Sequence, residues 1–222
     1  MGHFQLLAQP LWVNMLVFVP VALFFIWRSR GIQISSKKLA VAAIFATAFG
    51  FVEATVVVYL RAATGLLPGY TGASSQIQQT GETAHPEIPT VNQLPQALLT
   101  LEMVREGATM VMLVSIAFLT VSSRRERWAV FLWTFAVWDI SYYAGLWATI
   151  RWPTSLKDLD ILFLIPVPWL AQVWYPLLVS SLTLVAVGLS RRKAGLAQLA
   201  LSPKAGSESW PSSTPTLRNQ RR

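Results

Sequence analysis

The sequence predicts an all-α integral membrane protein, a polytopic helical bundle of about five transmembrane helices. Hydrophobic residues make up 54% of the chain and charged residues only 13%, whereas charged residues make up roughly 25% of an ordinary soluble domain. An apolar run of about 20 residues is long enough to cross a bilayer. Such runs lie at about residues 11–27, 39–60, 96–121, 128–150 and 169–189.

The first and third runs have distinct starts. The first contains Pro20 and is followed by Arg28. Because no basic segment precedes its apolar core and no Ala-x-Ala-like site follows it, we predict a retained anchor and not a cleaved signal peptide. The third run is preceded by Pro95, a residue suited to the first turn of a helix.

The fifth run is interrupted by prolines. Residues 161–189 are apolar throughout, but Pro166, Pro168 and Pro176 divide them, and a proline disrupts the interior of a helix. We therefore predict that residues 160–169 form an interfacial or re-entrant approach, and that the fifth span begins near Trp169.

The orientation follows from basic residues at alternate ends of the runs, because short cytoplasmic loops retain Lys and Arg. The distribution predicts an outside N-terminus and a cytoplasmic C-terminus, with residues 61–94 as a partly ordered outer loop. Residues 1–193 would form the bundle and residues 194–222 a disordered basic cytoplasmic tail. The basic residues that set this orientation are Arg28, Arg30, Lys37, Lys38, Arg124, Arg125, Arg127, Arg191, Arg192 and Lys193.

The composition excludes several classes of function. The chain has no cysteine, which excludes disulfides, thiolate metal ligands and thiol catalysis. Since His3 and His85 lie outside the runs, no haem is expected in the bundle. The net charge of +8 sits at the ends of the runs, so the predicted partner is the lipid bilayer and not nucleic acid. A homo-oligomer or another membrane subunit stays open as a partner.

Ionisable residues inside the runs mark the candidate site: Glu53, Glu102, Arg105, Glu106 and Asp139. A charge in hydrocarbon costs from ~3 to more than 10 kcal/mol, so such residues face the bundle interior and mark an ion, proton or substrate site. Counted at ~1.5 Å per residue, all lie at or outward of their run's midpoint, which predicts one shared outer site. Because four acids oppose one Arg, at least one acid is expected to hold a proton unless a cation is bound.

The neighbours of two of these residues predict contacts between helices. Glu102, Arg105, Glu106 and Thr109 share one face of the third helix, since residues three and four apart are neighbours. Glu53 lies beside small residues of the kind that allow two helices to approach closely, which predicts that Glu53 reaches the third span. The small residues are Ala42, Ala46, Gly50 and Ala54.

The fourth run offers two candidate hydroxyl donors. Tyr142 and Tyr143 follow Asp139 at i+3 and i+4, so they could donate hydrogen bonds to its carboxylate or pass a proton; the alternative is that they are interfacial belt residues. Asp160 lies in the predicted outer loop, where we expect it to be solvated and able to cap a helix.

Several stretches resemble a family of bacterial polytopic membrane proteins that carry the description hypothetical. These are Phe-Val-Glu53-Ala-Thr, Glu102-x-x-Arg105-Glu106-x-Ala-Thr, Trp138-Asp139-Ile-Ser-Tyr-Tyr and the segment from Asp160 to Trp169. The resemblance covers the second to fifth spans. It implies a bacterial inner membrane and carries no mechanism.

Three functions are compatible with this pattern. The first is a cation- or proton-binding bundle, transporter-like or channel-like, in which Glu53, Glu102, Glu106 and Asp139 hold a hard divalent cation through carboxylate oxygens and Arg105 supplies the counter-charge. The second is an intramembrane carboxylate or metal enzyme acting on a lipid or quinone. The third is a non-catalytic subunit of a membrane complex. Few polar residues lie inward of the acids, which favours an outer pocket over a path through the membrane.

Overall fold

The computed structural model describes residues 7–63 and 96–201. A 3-10 helix (Leu11–Val17) continues into α1 (Phe18–Arg30), and α2 (Ser36–Ala63) follows. The other elements are α3 (Gln96–Thr120), α4 (Arg124–Ile150), β1 (Leu159–Phe163), β2 (Trp169–Gln172) and α5 (Trp174–Leu201). Five helices in the described ranges are long and apolar enough to cross a membrane, so the protein is a multi-pass membrane bundle, as predicted. The outer loop predicted at 61–94 lies outside the described residues from 64 onward.

Helix α4 is the centre of the bundle, in contact with α2, α3 and α5. Its closest neighbour is α2, because small residues face each other where the two helices cross. A Cβ atom added to Gly50 would lie 2.6 Å from the carbonyl oxygen of Trp138, and one added to Gly145 would lie 2.9 Å from the Cβ of Ala54. The ladder of small residues on α2 therefore packs against α4, and the expectation that it packs against the third span was wrong.

Basic side chains tie the helix ends together on the predicted inner side. Lys38 Nζ donates to the carbonyl oxygen of Thr120 at 2.8 Å, and Arg191 Nε donates to that of Ile34 at 2.8 Å. These carbonyls lie at helix termini and loops, where intrahelical partners are lacking. The Lys and Arg residues that predict orientation thus also join α2 to α3 and α5 to the loop before α2.

Strands β1 and β2 form an antiparallel hairpin that dips into the bundle. Leu159 pairs with Gln172 at its base and Phe163 with Trp169 near its tip. The ring of Phe163 lies 6.3 Å from that of Phe135, near the middle of α4, so the hairpin reaches the centre of the span. The approach predicted at 160–169 is therefore re-entrant, and its form is a β-hairpin.

Because of the hairpin, the fifth helix begins later in the chain than predicted. Since β2 occupies Trp169–Gln172, α5 begins at Trp174 and not near Trp169. Pro176 then falls in the first turn of α5, where its missing N–H is not needed. Helix α5 continues to Leu201, beyond residue 193 where the predicted bundle ends; the rest of the predicted tail lies outside the described residues.

Candidate functional site

The guanidinium of Arg105 joins two carboxylates in the half of the bundle that the basic residues predict to be the outer one, called the outer half below. It forms ion pairs with Glu53 of α2 and with Glu102 of its own helix. Glu53 is buried, with 5% of its surface exposed, and its Oε1 also accepts a hydrogen bond from Thr109 Oγ1 at 2.8 Å. The prediction that Glu53 reaches the third span is therefore confirmed, and Arg105 is shared between two acids.

Glu106 faces the re-entrant hairpin. Its two carboxylate oxygens accept the backbone N–H of Leu164 at 3.0 and 2.9 Å. Leu164 directly follows β1 at the hairpin tip, where ladder pairing has ended, and an unpaired N–H buried away from water is costly. Glu106 therefore supplies a charged acceptor that holds the tip of the hairpin against α3.

Asp139 joins α4 to α5. Its Oδ2 accepts a hydrogen bond from Ser180 Oγ at 2.8 Å, and both residues are buried, with 8% and 2% of their surfaces exposed. A hydroxyl is a weaker partner for a carboxylate than a guanidinium, because hydrogen bonds between two charged groups are roughly twice as strong. Asp139 is thus a buried acid whose described hydrogen-bond partner carries no charge.

The two tyrosines of α4 have partners that differ from the expected ones. The hydroxyl of Tyr143 donates to Oδ2 of Asp160 at 2.8 Å, not to Asp139. Tyr142 stacks on Trp138, with ring centroids 6.3 Å apart, and contacts the edge of Tyr143.

Asp160 belongs to the site: it is half-buried and bonded to Tyr143, and the expectation that it caps a helix was wrong. It lies in β1, which the hairpin carries down beside α4. Removal from water raises its pKa from an ordinary 3.8 to about 6, against the opposing effects of the Tyr143 hydrogen bond and the positive charge of Arg61. Arg61, at the outer end of α2, also lies over the ring of Trp152 at 4.2 Å.

Aromatic packing holds the hairpin from its other side. The ring of Phe163 lies 6.4 Å from that of Trp138 and 5.4 Å from that of Trp169. The indole nitrogens of both tryptophans are buried without a hydrogen-bond partner among the described residues. These rings therefore contribute packing, and the described polar attachments of the hairpin come from Glu106, from Tyr143 and from the backbone of Gln9, which exchanges two hydrogen bonds with Leu170.

The outer half holds more acids than cationic partners. Within the layer of contacts given above lie five carboxyl groups, at Glu53, Glu102, Glu106, Asp139 and Asp160, and two guanidinium groups, at Arg61 and Arg105. Arg151, Lys157 and Asp158 lie farther out, at the end of α4 and in the loop after it. If all were ionised, five negative charges and two positive ones would leave three negative charges in a poorly solvated layer. That excess is unfavourable without bound protons or a counter-ion.

The acids are not arranged as a metal cage in the described residues. No group of three or more His, Cys, Asp or Glu side chains within the described ranges could hold a metal ion. Of the predicted ligands, Glu53 and Glu102 meet at Arg105, while Glu106 turns to the hairpin and Asp139 to α5. The predicted single site is therefore divided into neighbouring contacts along one layer.

Hydroxyl groups of the inner half bond to their own helices. Thr134 donates to the carbonyl oxygen of Val130 at 3.0 Å, Thr183 to that of Val179 at 2.8 Å and Ser115 to that of Val111 at 2.8 Å. Such local bonds use the hydroxyl proton within one helix. The described contacts between helices that are made by buried carboxyl groups accordingly lie in the outer half, whereas Lys38, Arg191 and the indole of Trp133 join elements at the inner end through backbone carbonyls.

Ser180 and Asp160 are the site residues that the sequence analysis missed. Ser180 stands in the Ser180-Ser181 pair within the last apolar run, and an intramembrane hydroxyl commonly bonds across helices. That serine pair was the feature of the sequence that could have identified Ser180. No family model, no curated protein and no solved structure matches the chain.

Proposed function

We propose that the protein is a one-sided proton-binding membrane protein whose acidic layer is reached from the outer side of a bacterial inner membrane. The observation that carries the proposal is Asp139, a buried carboxyl group whose hydrogen-bond partner is the neutral hydroxyl of Ser180. A buried acid without a cationic partner is most cheaply accommodated by binding a proton. The excess of acids over arginines supports the same conclusion for the layer as a whole.

A proton fits this layer better than a divalent cation. Divalent cations take several oxygen ligands at one point, whereas these acids bind different protein groups on α3, α5 and the hairpin. A proton needs only one carboxyl group. The hydroxyls bound within single helices of the inner half favour a site open to one side over a continuous channel.

The proposed orientation places the N-terminus outside and the C-terminus in the cytoplasm. Exposed or partly exposed basic residues at the inner end include Arg28, Lys37 and Arg124. The positive-inside rule supports this assignment, and the acidic layer then opens to the periplasmic side.

Infrared spectroscopy of the purified full-length protein tests proton binding. We expect a carbonyl-stretch band from protonated carboxyl groups at neutral pH that is lost in Asp139→Asn. Asp158→Asn is the matched control, since Asp158 lies in the outer loop and accepts from Thr154 at 2.7 Å. If the wild-type and Asp139→Asn spectra are the same in this region, the proposal is wrong. Loss of the band on adding Mg²⁺ would instead identify a metal cation as the ligand.

A structural role is the second candidate, because each acid links two elements. Glu53 joins α2 to α3, Glu106 joins α3 to the hairpin, and Asp139 joins α4 to α5. In a non-catalytic subunit these contacts would serve assembly alone. That role predicts reduced thermal stability in Glu53→Gln and Asp139→Asn with no protonated-carboxyl band in the wild type.

A further inference from the structure

We propose that Asp160 and Tyr143 form the path by which protons pass between the outer surface and Asp139. This inference rests on the proposed function, because it supplies the route to the same site. It assigns Asp160 as the outer proton acceptor and the Tyr143 hydroxyl as the carrier between the two carboxyl groups.

The first evidence for the path is a hydrogen bond between Tyr143 and Asp160. The Tyr143 hydroxyl donates to Asp160 Oδ2 at 2.8 Å, a distance typical of a bond along which a proton moves. Asp139 lies four residues before Tyr143, and residues at i and i+4 are neighbours on one helix face. Long side chains on a helix also lean toward its N-terminus, and Tyr143 is close enough to Asp139 for the two groups to interact electrostatically.

Water can reach the outer end of this path because Asp160 is only half-buried, and a groove also leads to its partner Tyr143. Tyr143 lines a groove of about 390 Å³ that is also lined by Thr154 and Ser155 of the loop after α4. Both loop residues are exposed, whereas Tyr143 itself is 5% exposed. The groove therefore leads from the outer loop to a buried hydroxyl.

The charged and titratable groups around Asp160 are compatible with its role as a reversible proton acceptor. Asp160 interacts electrostatically with Arg61 from α2, and with Asp139, Tyr142 and Tyr143 from α4. From α5, the neutral hydroxyl of Ser180 faces Asp139. With a pKa raised by desolvation to about 6, Asp160 exchanges protons with water near neutral pH.

The transfer balances at each oxygen. In the outward direction the Tyr143 O–H bond breaks as its proton binds Asp160 Oδ2, while the proton on Asp139 binds the phenolic oxygen of Tyr143. The phenol is neutral before and after, and one proton has moved from Asp139 to Asp160. Water at the half-buried Asp160 carboxyl then takes its proton, and the inward direction is the reverse.

The test is the rate at which the Asp139 carboxyl exchanges its proton for deuterium. Full-length protein is mixed rapidly with D₂O, and the isotope shift of the infrared band that Asp139→Asn removes is followed in time. Tyr143→Phe should slow this shift by at least about tenfold, since a positioned proton-transfer group contributes roughly 10²–10⁴-fold. Tyr175→Phe is the control, because it removes another buried tyrosine hydroxyl, one that donates to Val13 at 2.6 Å.

A second variant, Asp160→Asn, tests whether slower exchange reflects a loss of proton transfer and not a loss of folding. Asp160→Asn keeps an oxygen acceptor for Tyr143 but cannot take up a proton, so it should also slow the exchange. Exchange at the wild-type rate in both Tyr143→Phe and Asp160→Asn, with the Asp139 band present, overturns the path and leaves the proposed function standing. Absence of the band in the wild type overturns both.

Discussion

At the scale of single residues, the buried acids differ in the groups that neutralise them. Glu53 has a guanidinium, Glu106 a peptide N–H, Asp139 a serine hydroxyl and Asp160 a tyrosine hydroxyl. Because hydrogen bonds from charged donors are stronger than those from neutral ones, Glu53 is the acid best stabilised in its ionised form. Asp139 is the acid best suited to bind a proton.

The pH dependence of stability should report on Asp160. A carboxyl group whose folded pKa lies above its unfolded pKa stabilises the fold below the unfolded pKa and loses this contribution as pH rises through the folded pKa. For Asp160 the values are 3.8 and about 6, so its contribution should fade over that interval. Thermal unfolding in detergent should show a smaller loss in Asp160→Asn than in the wild type.

In the same unfolding experiment, Tyr143→Phe should change the pH at which stability is lost. The Tyr143 hydrogen bond favours the ionised form of Asp160, so its removal should move the loss of stability to higher pH. An unchanged midpoint in Tyr143→Phe, together with an unchanged pH profile in Asp160→Asn, would show that Asp160 is solvated after all.

Contacts within one helix, and the reach of Glu53 to the third span, could be predicted from the sequence, but the partner of Asp139 on α5 could not. The pairing of Glu102 with Arg105 follows from their i, i+3 spacing. The pairing of Asp139 with Ser180 depends on how α5 is rotated and shifted against α4, and neither quantity is fixed by hydrophobic periodicity when both helices are apolar over most of their surface.

At the scale of elements, the tight crossing of α2 and α4 positions the acidic layer. Gly50 lies against the backbone of α4 at Trp138 and Tyr142, next to Asp139. Glu53 lies one turn further along α2 and turns toward α3. The small residues thus hold α2 close to α4, in a position from which Glu53 of α2 reaches α3.

Substitution at Gly50 tests this crossing. Gly50→Ala should destabilise the protein by roughly 1–3 kcal/mol, the usual cost of overpacking, because the new Cβ would lie 2.6 Å from a backbone oxygen. Gly107→Ala is the matched control on α3, since nothing lies within 4 Å of its added Cβ. There the better helix propensity of Ala should leave stability unchanged or raise it by up to about 1 kcal/mol. Equal effects at both positions in thermal unfolding would contradict the tight crossing.

Attachment of the hairpin tip to α3 gives a second prediction at this scale. Glu106→Ala removes the acceptor of the Leu164 N–H, so hydrogen exchange of residues 163–165 should accelerate by about tenfold or more, as expected for the loss of about 1.4 kcal/mol or more of local stability. Glu102→Ala is the control, because Glu102 pairs with Arg105 and not with the hairpin. Exchange that is equally fast in both variants, or unchanged in Glu106→Ala, would contradict this attachment.

Membrane helices were easier to predict from the sequence than the hairpin. Length and hydropathy alone define the spans, because no other structure of that length satisfies its backbone in lipid. Strand β1 instead continues an apolar run, Ile161 to Leu164, without alternation. A short apolar run of this kind cannot be assigned to strand or helix by periodicity, so the prolines showed only that the helix is interrupted.

At the scale of the whole molecule, the kind of polar contact between elements differs between the outer half and the inner end of the bundle. The buried acids, Arg105 and the hairpin occupy the outer half, while Lys38 and Arg191 bind backbone carbonyls at the inner ends of the helices. Between them, hydroxyls such as that of Thr134 bond within their own helix. This division underlies the central claim that protons reach the acidic layer from one side.

Sidedness can be fixed chemically because the chain contains no cysteine. A single Ser155→Cys substitution in the exposed loop after α4 can be biotinylated with an impermeant thiol reagent. Vesicles captured through this biotin hold the protein with that loop facing the external medium. Ser122→Cys, in the exposed loop between α3 and α4, selects the opposite orientation.

The most direct measurement follows the protonated Asp139 band in these oriented vesicles after a rapid change of external pH. We predict that the band responds promptly in vesicles captured through Ser155→Cys and not in those captured through Ser122→Cys, because Tyr143, the hydrogen-bond partner of Asp160, lines the same groove as Ser155. A prompt response in vesicles captured through Ser122→Cys, or an equal response in both, would contradict a one-sided proton site.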